Sequence, residues 1–270
     1  MRTHQRTVVW SSGLVVALVG VVLASATVGP ASVPFGEVLR ATLDAIGVPT
    51  SLSISTGTGS LAGLAVPVPT VSIGYTYLFS FSVPRTSEII VREIRLPRIV
   101  LGAVVGFALG GAGAVMQGFF RNPMADPSII GVSTGAAVGA VATIALPLAI
   151  PFGLQTAAFV GAVATAFVVY LLATEHGRTP VATLLLAGVA VQTFLGAVVS
   201  FLLLQSGESL ERALYWLMGH LYGSSWGEVQ VTLPVVAVLF LALLPFARDL
   251  NVLMLGEEDA RTLGIPVEWT

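Results

Sequence analysis

The chain has 270 residues, of which 55% are hydrophobic and 10% charged, with a formal net charge of −2 and a mean hydropathy of +0.92. A soluble domain carries roughly 25% charged residues, so this composition describes a membrane protein and offers no basic surface for nucleic acid. The absence of cysteine excludes disulfides, thiol chemistry and Cys-based metal sites, and all 12 basic residues are arginine.

Six stretches approach the roughly 20 apolar residues that a bilayer requires. They are Val8–Val28, Ile99–Phe120, Ser128–Ile150, Leu154–Thr174, Val181–Leu204 and Val229–Ala247. The first follows Arg2 and Arg6 and could pass for a signal peptide cleaved near Ala24-Ser25-Ala26. Its apolar run exceeds the usual 7–15 residues of a signal core, which favours an uncleaved span with a cytoplasmic N-terminus. Residues 30–98 then form a long external loop despite five arginines, because long loops escape the positive-inside rule. Within it, the Ser/Thr/Gly-rich stretch Thr50–Gly63 reads as flexible. Arg92, Arg95 and Arg98 recur every third residue and fan across one side of a helix at the external mouth of the second span.

Glycines recur every fourth residue on the second span (Gly102, Gly106, Gly110) and on the third (Gly131, Gly135, Gly139). Small residues at that spacing let helices approach closely in lipid. Between them, Arg121-Asn122-Pro123-Met124-Ala125-Asp126-Pro127 holds two Asx-Pro pairs, each of which can start a helix. Asp126 reads as a cap rather than a proton carrier. Gln117 either lines a path or bonds a neighbouring helix. Glu208, Glu211 and Arg212 suit a short external helix leading into Trp216 and Gly219. After the sixth span, Gly256 breaks the helix and Glu257, Glu258 and Asp259 load the first turn of another. No G-x-x-x-x-G-K-[ST] loop is present, and the three histidines are far apart, so neither nucleotide nor metal is expected on this chain.

Arg95-Leu96-Pro97-Arg98, Met116-Gln117-Gly118, Asn122-Pro123-Met124-Ala125-Asp126-Pro127, Gly131-Val132-Ser133-Thr134-Gly135-Ala136, Leu184–Ala190, Trp216-Leu217-Met218-Gly219 and Leu255–Gly264 stand in one order and spacing. Together they resemble the permease subunits of ABC importers for iron-siderophore, haem and cobalamin. The resemblance implies an all-α polytopic transmembrane permease, read as a single domain over residues 1–270. It implies that Arg95 and Arg98 receive acidic residues of an extracytoplasmic substrate-binding protein, with Arg92 alongside. It makes Asn122-Pro123-Met124-Ala125 a cytoplasmic gate loop, partnered by Pro180, Val181, Ala182 and Thr183 before the fifth span. It also makes residues 253–266 a coupling segment, with Gly256, Glu257, Glu258, Ala260, Leu263 and Gly264 docking a P-loop ATPase dimer. That ATPase would use the ATP, and this chain would bind no cofactor.

The expected assembly includes a second permease copy, homodimeric or paralogous, in the cytoplasmic membrane. Family subunits have about ten membrane helices, so a chain with room for six is expected to be a fragment or to be completed by another chain. Importers for another metal complex remain an alternative within the class. A passive channel would lack the arginine mouth and the coupling segment, and an intramembrane enzyme would need facing polar residues that these spans do not offer. The cargo is not legible, since in this family it is read mainly by the binding protein.

Overall fold

The computed structural model describes residues 2–61, 64–146, 153–175, 177–221, 223–254, 256 and 262. The protein is dominated by helices that are apolar all round, the pattern of segments surrounded by lipid or protein rather than water. Among the described residues five are long and apolar enough to cross a bilayer: Gln5–Thr27, Arg85–Phe120, Gly153–Ala173, Val181–Gln205 and Trp226–Leu253.

In chain order, α1 (Arg2–Thr27) is followed by the short amphipathic α2 (Phe35–Asp44). A hairpin then forms from β1 (Gly47–Leu61) and β2 (Leu64–Tyr77), paired antiparallel from Gly47↔Tyr77 to Leu61↔Leu64. Thr50–Leu61 of the stretch expected to be flexible therefore lies in the first strand of this ribbon, and residues 62 and 63 lie outside the described residues. Its partner alternates Val66, Val68 and then Val71, Ile73, the period-two pattern of a strand. Read without that partner, Ser, Thr and Gly suggest only a loop.

Beyond the hairpin, α3 (Arg85–Ile89), a π-helical turn (Ile90–Arg95) and α4 (Leu96–Phe120) run as one helix. The helix thus begins at Arg85, well before the expected Ile99. Pro97 explains the wide turn. A proline inside a helix removes one hydrogen bond and crowds the carbonyl four residues back, and i→i+5 bonding absorbs that mismatch just upstream. With Arg92 and Arg95 inside the wide turn and Arg98 beyond it in α4, the three arginines no longer keep the even fan of a regular helix.

After α4 come a 3₁₀ turn (Pro127–Ile130) and α5 (Val132–Ala145). The third expected span is accordingly shorter than read: 14 residues, about 21 Å at 1.5 Å per residue, because Gly131 takes a left-handed φ of 76° and separates the turn from the helix. Residues 147–152, at the end of that expected span, lie outside the described residues. The remaining elements are α6 (Gly153–Ala173), α7 (Val181–Gln205), a 3₁₀ turn (Gly207–Ser209), α8 (Leu210–Leu217), α9 (Trp226–Leu243), another 3₁₀ turn (Leu244–Phe246) and α10 (Ala247–Leu253).

The chain divides into two compact units: residues 1–105 with 221–235, and 106–220 with 236–270. In the first, Ala26, Val33, Val38, Ala41, Val91 and Leu96 make a buried cluster flanked by Trp226. In the second, Val141 and Ile144 of α5 bury against Ala213 of α8, with Leu203 and Trp216 beside them. The helix expected from Glu208, Glu211 and Arg212 is α8, and its apolar side covers α5.

Candidate functional site

The three arginines have three different fates. Arg95 is buried, 8% exposed. Its Nη1 donates to the Ala26 carbonyl oxygen at 2.6 Å and its Nη2 to that of Ala31. Ala26 lies in the last turn of α1, where carbonyls lack intrahelical partners and the helix dipole attracts a cation. Arg95 is thus a long-range cap on α1, with its guanidinium turned to backbone carbonyls of its own chain.

Arg92 is also occupied. It pairs with Glu88 at 3.2 Å, lies 4.7 Å from the centre of the Tyr77 ring, and its carbonyl accepts the Trp226 indole N–H at 2.8 Å. It joins the base of the hairpin to the π-turn and to the start of α9. Arg98, by contrast, is exposed and makes no ion pair among the described residues. It lines a cleft of about 1130 Å³ together with Val21, Ser25, Glu93, Ile94 and Ser224. Of the three, Arg98 alone presents its charge outward.

The loop after α4 is built from caps. Arg121 N–H reaches the Gly118 carbonyl (3.3 Å) and Asn122 N–H reaches that of Gln117 (3.2 Å), the paired bonds of a Schellman cap. The C′ position, normally glycine, is here Arg121 with φ 51°. The first Asx-Pro pair therefore closes a turn rather than starting a helix. The Asn122 carbonyl accepts from Ala125 N–H at 3.0 Å and the Asn122 Oδ1 from Met124 N–H at 2.9 Å. The second pair does begin a turn of helix. Asp126 Oδ1 accepts from Ser128 N–H at 2.8 Å and from the Ser128 hydroxyl. These two bonds, side chain first, hold the Asp126 carboxyl below its ordinary pKa.

Met124 stands 83% exposed at the tip, so the loop is not closed against Pro180, Val181, Ala182 and Thr183. Pro180 precedes α7 with φ −60° and ψ 135°, and its carbonyl receives the Leu184 N–H at 2.9 Å. What meets α7 is the 3₁₀ turn instead. A methyl at Gly188 would fall 2.8 Å from the Ile129 carbonyl oxygen, and one at Gly131 3.4 Å from that of Gly188. Gln117 is exposed, and its backbone rather than its side chain serves the cap.

The glycine stripes also part company. Methyl groups at Gly135 and Gly139 would meet the Gly161 carbonyl oxygen at 2.6 Å and that of Ala157 at 2.0 Å, so α5 and α6 touch backbone to backbone. Among the described residues, a methyl at Gly106 or Gly110 of α4 would meet nothing within 4 Å, and one at Gly102 would meet Leu221 Cδ1 at 3.6 Å. Gly131, expected in the stripe, is a left-handed corner instead. Sequence reading missed the partner side of the close contact, although Ala157, Gly161 and Thr165 carry the same four-residue spacing on α6. It also missed the Ala26 and Ala31 carbonyls that hold Arg95, since backbone acceptors leave no mark in a sequence.

At the end of the chain, Gly256 has φ 132° and donates to the Leu253 carbonyl at 3.1 Å, just past α10. Glu257, Glu258, Ala260, Leu263 and Gly264, expected in the coupling segment, lie outside the described residues.

Helices long and apolar enough to cross a bilayer, joined by capped loops, define a polytopic helical membrane protein. The chain belongs to the FecCD transport family, which it matches over residues 16–270. It is 54% identical over 267 residues to the cobalamin import system permease protein BtuC of Halobacterium salinarum, covering 98% of this chain and 72% of that protein. To the hemin transport system permease protein HmuU of Yersinia pestis it is 37% identical over 181 residues, 65% of this chain and 54% of that one. A solved structure described as an inward-facing conformation of a metal-chelate type ABC transporter matches with a TM-score of 0.62 and 32% identity, over 70% of this chain and 63% of that one. The chain spans about half the length of the hemin permease and of the iron-citrate permease YfmD of Bacillus subtilis.

Proposed function

We propose that this chain is the membrane-spanning permease subunit of an ATP-driven importer that takes a corrinoid of the cobalamin type from a substrate-binding protein into the cytoplasm. The match to a cobalamin import permease across 98% of the chain carries this reading. Haem and iron-siderophore complexes are the neighbouring cargoes, since relatives named for them match about two thirds of it.

In this reading the protein lies in the cytoplasmic membrane with its N-terminus inside. It works with a second permease copy and a P-loop ATPase dimer that uses the ATP, and it holds no cofactor itself. Arg98 faces outward to meet an acidic group of the binding protein, as a planar guanidinium holds a carboxylate. Arg95 and Arg92 keep the helix end in the shape that presents it. Met124 rides on the Asn122–Ala125 turn as an apolar plug that closes the path by excluding water when the two faces meet. Gly256 and the residues after it lead into the ATPase contact.

The test is reconstitution of the chain with its ATPase and binding protein in proteoliposomes, with labelled cobalamin, haem and a ferric siderophore offered in turn. ATP-dependent cobalamin uptake that exceeds the other two is expected. Uptake of haem or the siderophore with none of cobalamin would move the cargo, and no uptake of any chelate would overturn the reading.

A further inference from the structure

The hairpin between α2 and α3 takes no part in the transport reading, yet it is unusual in two ways. It is long: fifteen residues in β1 at about 3.4 Å each make a ribbon of about 50 Å. It is also neutral, for no charged residue occurs from Ala45 to Pro84. Among the described residues no third strand joins it, and a two-stranded ribbon alone is only marginally stable in water.

Proteins guard exposed strand edges with charges, prolines, bulges or brevity. Here the two edges differ. β2 carries Pro67 and Pro69, opposite Thr58 and Thr56. Residues two apart direct their backbone nitrogens to the same edge, and in a two-stranded ribbon proline is tolerated where that edge has no partner. The outer edge of β2 is blunted there. β1 has a proline only at Pro49, where the register slips before Ser51. From Thr50 to Leu61 nothing in the sequence blocks its outer row of N–H and C=O groups.

The ribbon is rooted on the end of α2 and touches the helix that carries the arginines. Leu78 N–H bonds the Ile46 carbonyl at 3.1 Å and Phe81 N–H bonds the Asp44 carboxylate at 2.9 Å. The Tyr77 ring faces the guanidinium of Arg92, six residues before Arg98. Resting on the importer reading, we infer that the hairpin is an uncharged docking arm: the β1 edge adds to a strand of the substrate-binding protein that also meets Arg98. Its place against the arginine helix makes it continuous with that contact. Strand addition supplies affinity through main-chain hydrogen bonds, and a neutral arm supplies it independently of salt, where an exposed ion pair is screened.

Titration of the purified binding protein onto the full chain in nanodiscs, at 0.1 M and 1 M salt, tests this. Replacing residues 49–75 with a two-residue turn should weaken binding at least tenfold at both salt concentrations, whereas Arg98→Glu should act mainly at low salt. Ser53→Lys with Ser55→Lys keeps the hairpin and should reproduce the loss if the edge is the contact. A photo-crosslinker on Thr58→Cys, in a chain that has no other cysteine, should capture the added binding protein. Full affinity in both hairpin variants, with Arg98→Glu still weakened, would discard the arm and leave the docking arginine standing. Crosslinks to a second copy of this chain alone would likewise overturn the arm. An unaltered chain that binds no binding protein would remove the importer reading along with it.

Discussion

The glycine stripes of α4 and α5 are alike in sequence and unlike in structure. On α5, Gly135 and Gly139 let α6 approach until a single added methyl would overlap its backbone. On α4, Gly106 and Gly110 meet none of the described residues, while the same helix uses a different line, Phe107 and Gly111, against Phe240 of α9. Spacing therefore marks where a backbone can approach another, and geometry decides whether one does. The three arginines repeat the lesson: equal spacing, with one capping a helix, one bracing a hairpin and one facing out.

The largest effect expected from this contrast is at the close helix pair. Gly139→Leu should prevent α5 and α6 from packing, and Gly139→Ala should cost more than about 2 kcal/mol, since backbone must shift to admit it. Gly106→Ala should instead be neutral or stabilising by up to about 1 kcal/mol, through helix propensity. Thermal unfolding of the detergent-solubilised chain measures both. Equal losses at Gly106 and Gly139 would break the contrast.

The arginines sharpen it next. Arg95→Ala leaves the Ala26 and Ala31 carbonyls without their charged donor, a loss of about 1.5–3 kcal/mol for a hydrogen bond to a charged group. Arg98→Ala should leave the melting temperature where it was and change only binding. A normal melting temperature in Arg95→Ala would mean that the cap on α1 adds no stability.

A smaller effect concerns the cap at Arg121. The same Schellman pair recurs after α8, with His220 N–H to the Tyr215 carbonyl and Gly219 N–H to that of Trp216, and there Gly219 holds the left-handed position with φ 76°. Arg121→Gly should therefore stabilise the loop by about 1 kcal/mol, by relieving the left-handed strain of a side chain. A destabilised variant would show that the Arg121 side chain contributes more than its backbone strain costs.

The smallest effect is on pH dependence. The folded carboxyl of Asp126 titrates below its unfolded value, so its contribution is fully present above about pH 4 and is lost as pH falls through the folded value. Asp126→Asn keeps an acceptor for Ser128 and removes the titration. Its stability should fall less steeply below pH 4 than that of the unaltered chain, and identical acid limbs would rule out the contribution.

Among the described residues, hydrophobic composition and run length placed span-length helices at five of the six expected stretches and a shorter one at the third, because lipid forces the backbone to satisfy itself locally. The cap at Asp126 was legible for the same local reason: acceptor and donors lie two residues apart. Gly219 and Gly256 mark breaks that follow from their own backbone freedom. Tertiary structure decided everything that depends on a distant partner. Gly139 needed Ala157, Arg95 needed the carbonyls of Ala26 and Ala31, and Thr50–Leu61 became a strand only beside Leu64–Tyr77. Backbone groups and neighbouring helices supply those partners, and neither is written at the position that depends on them.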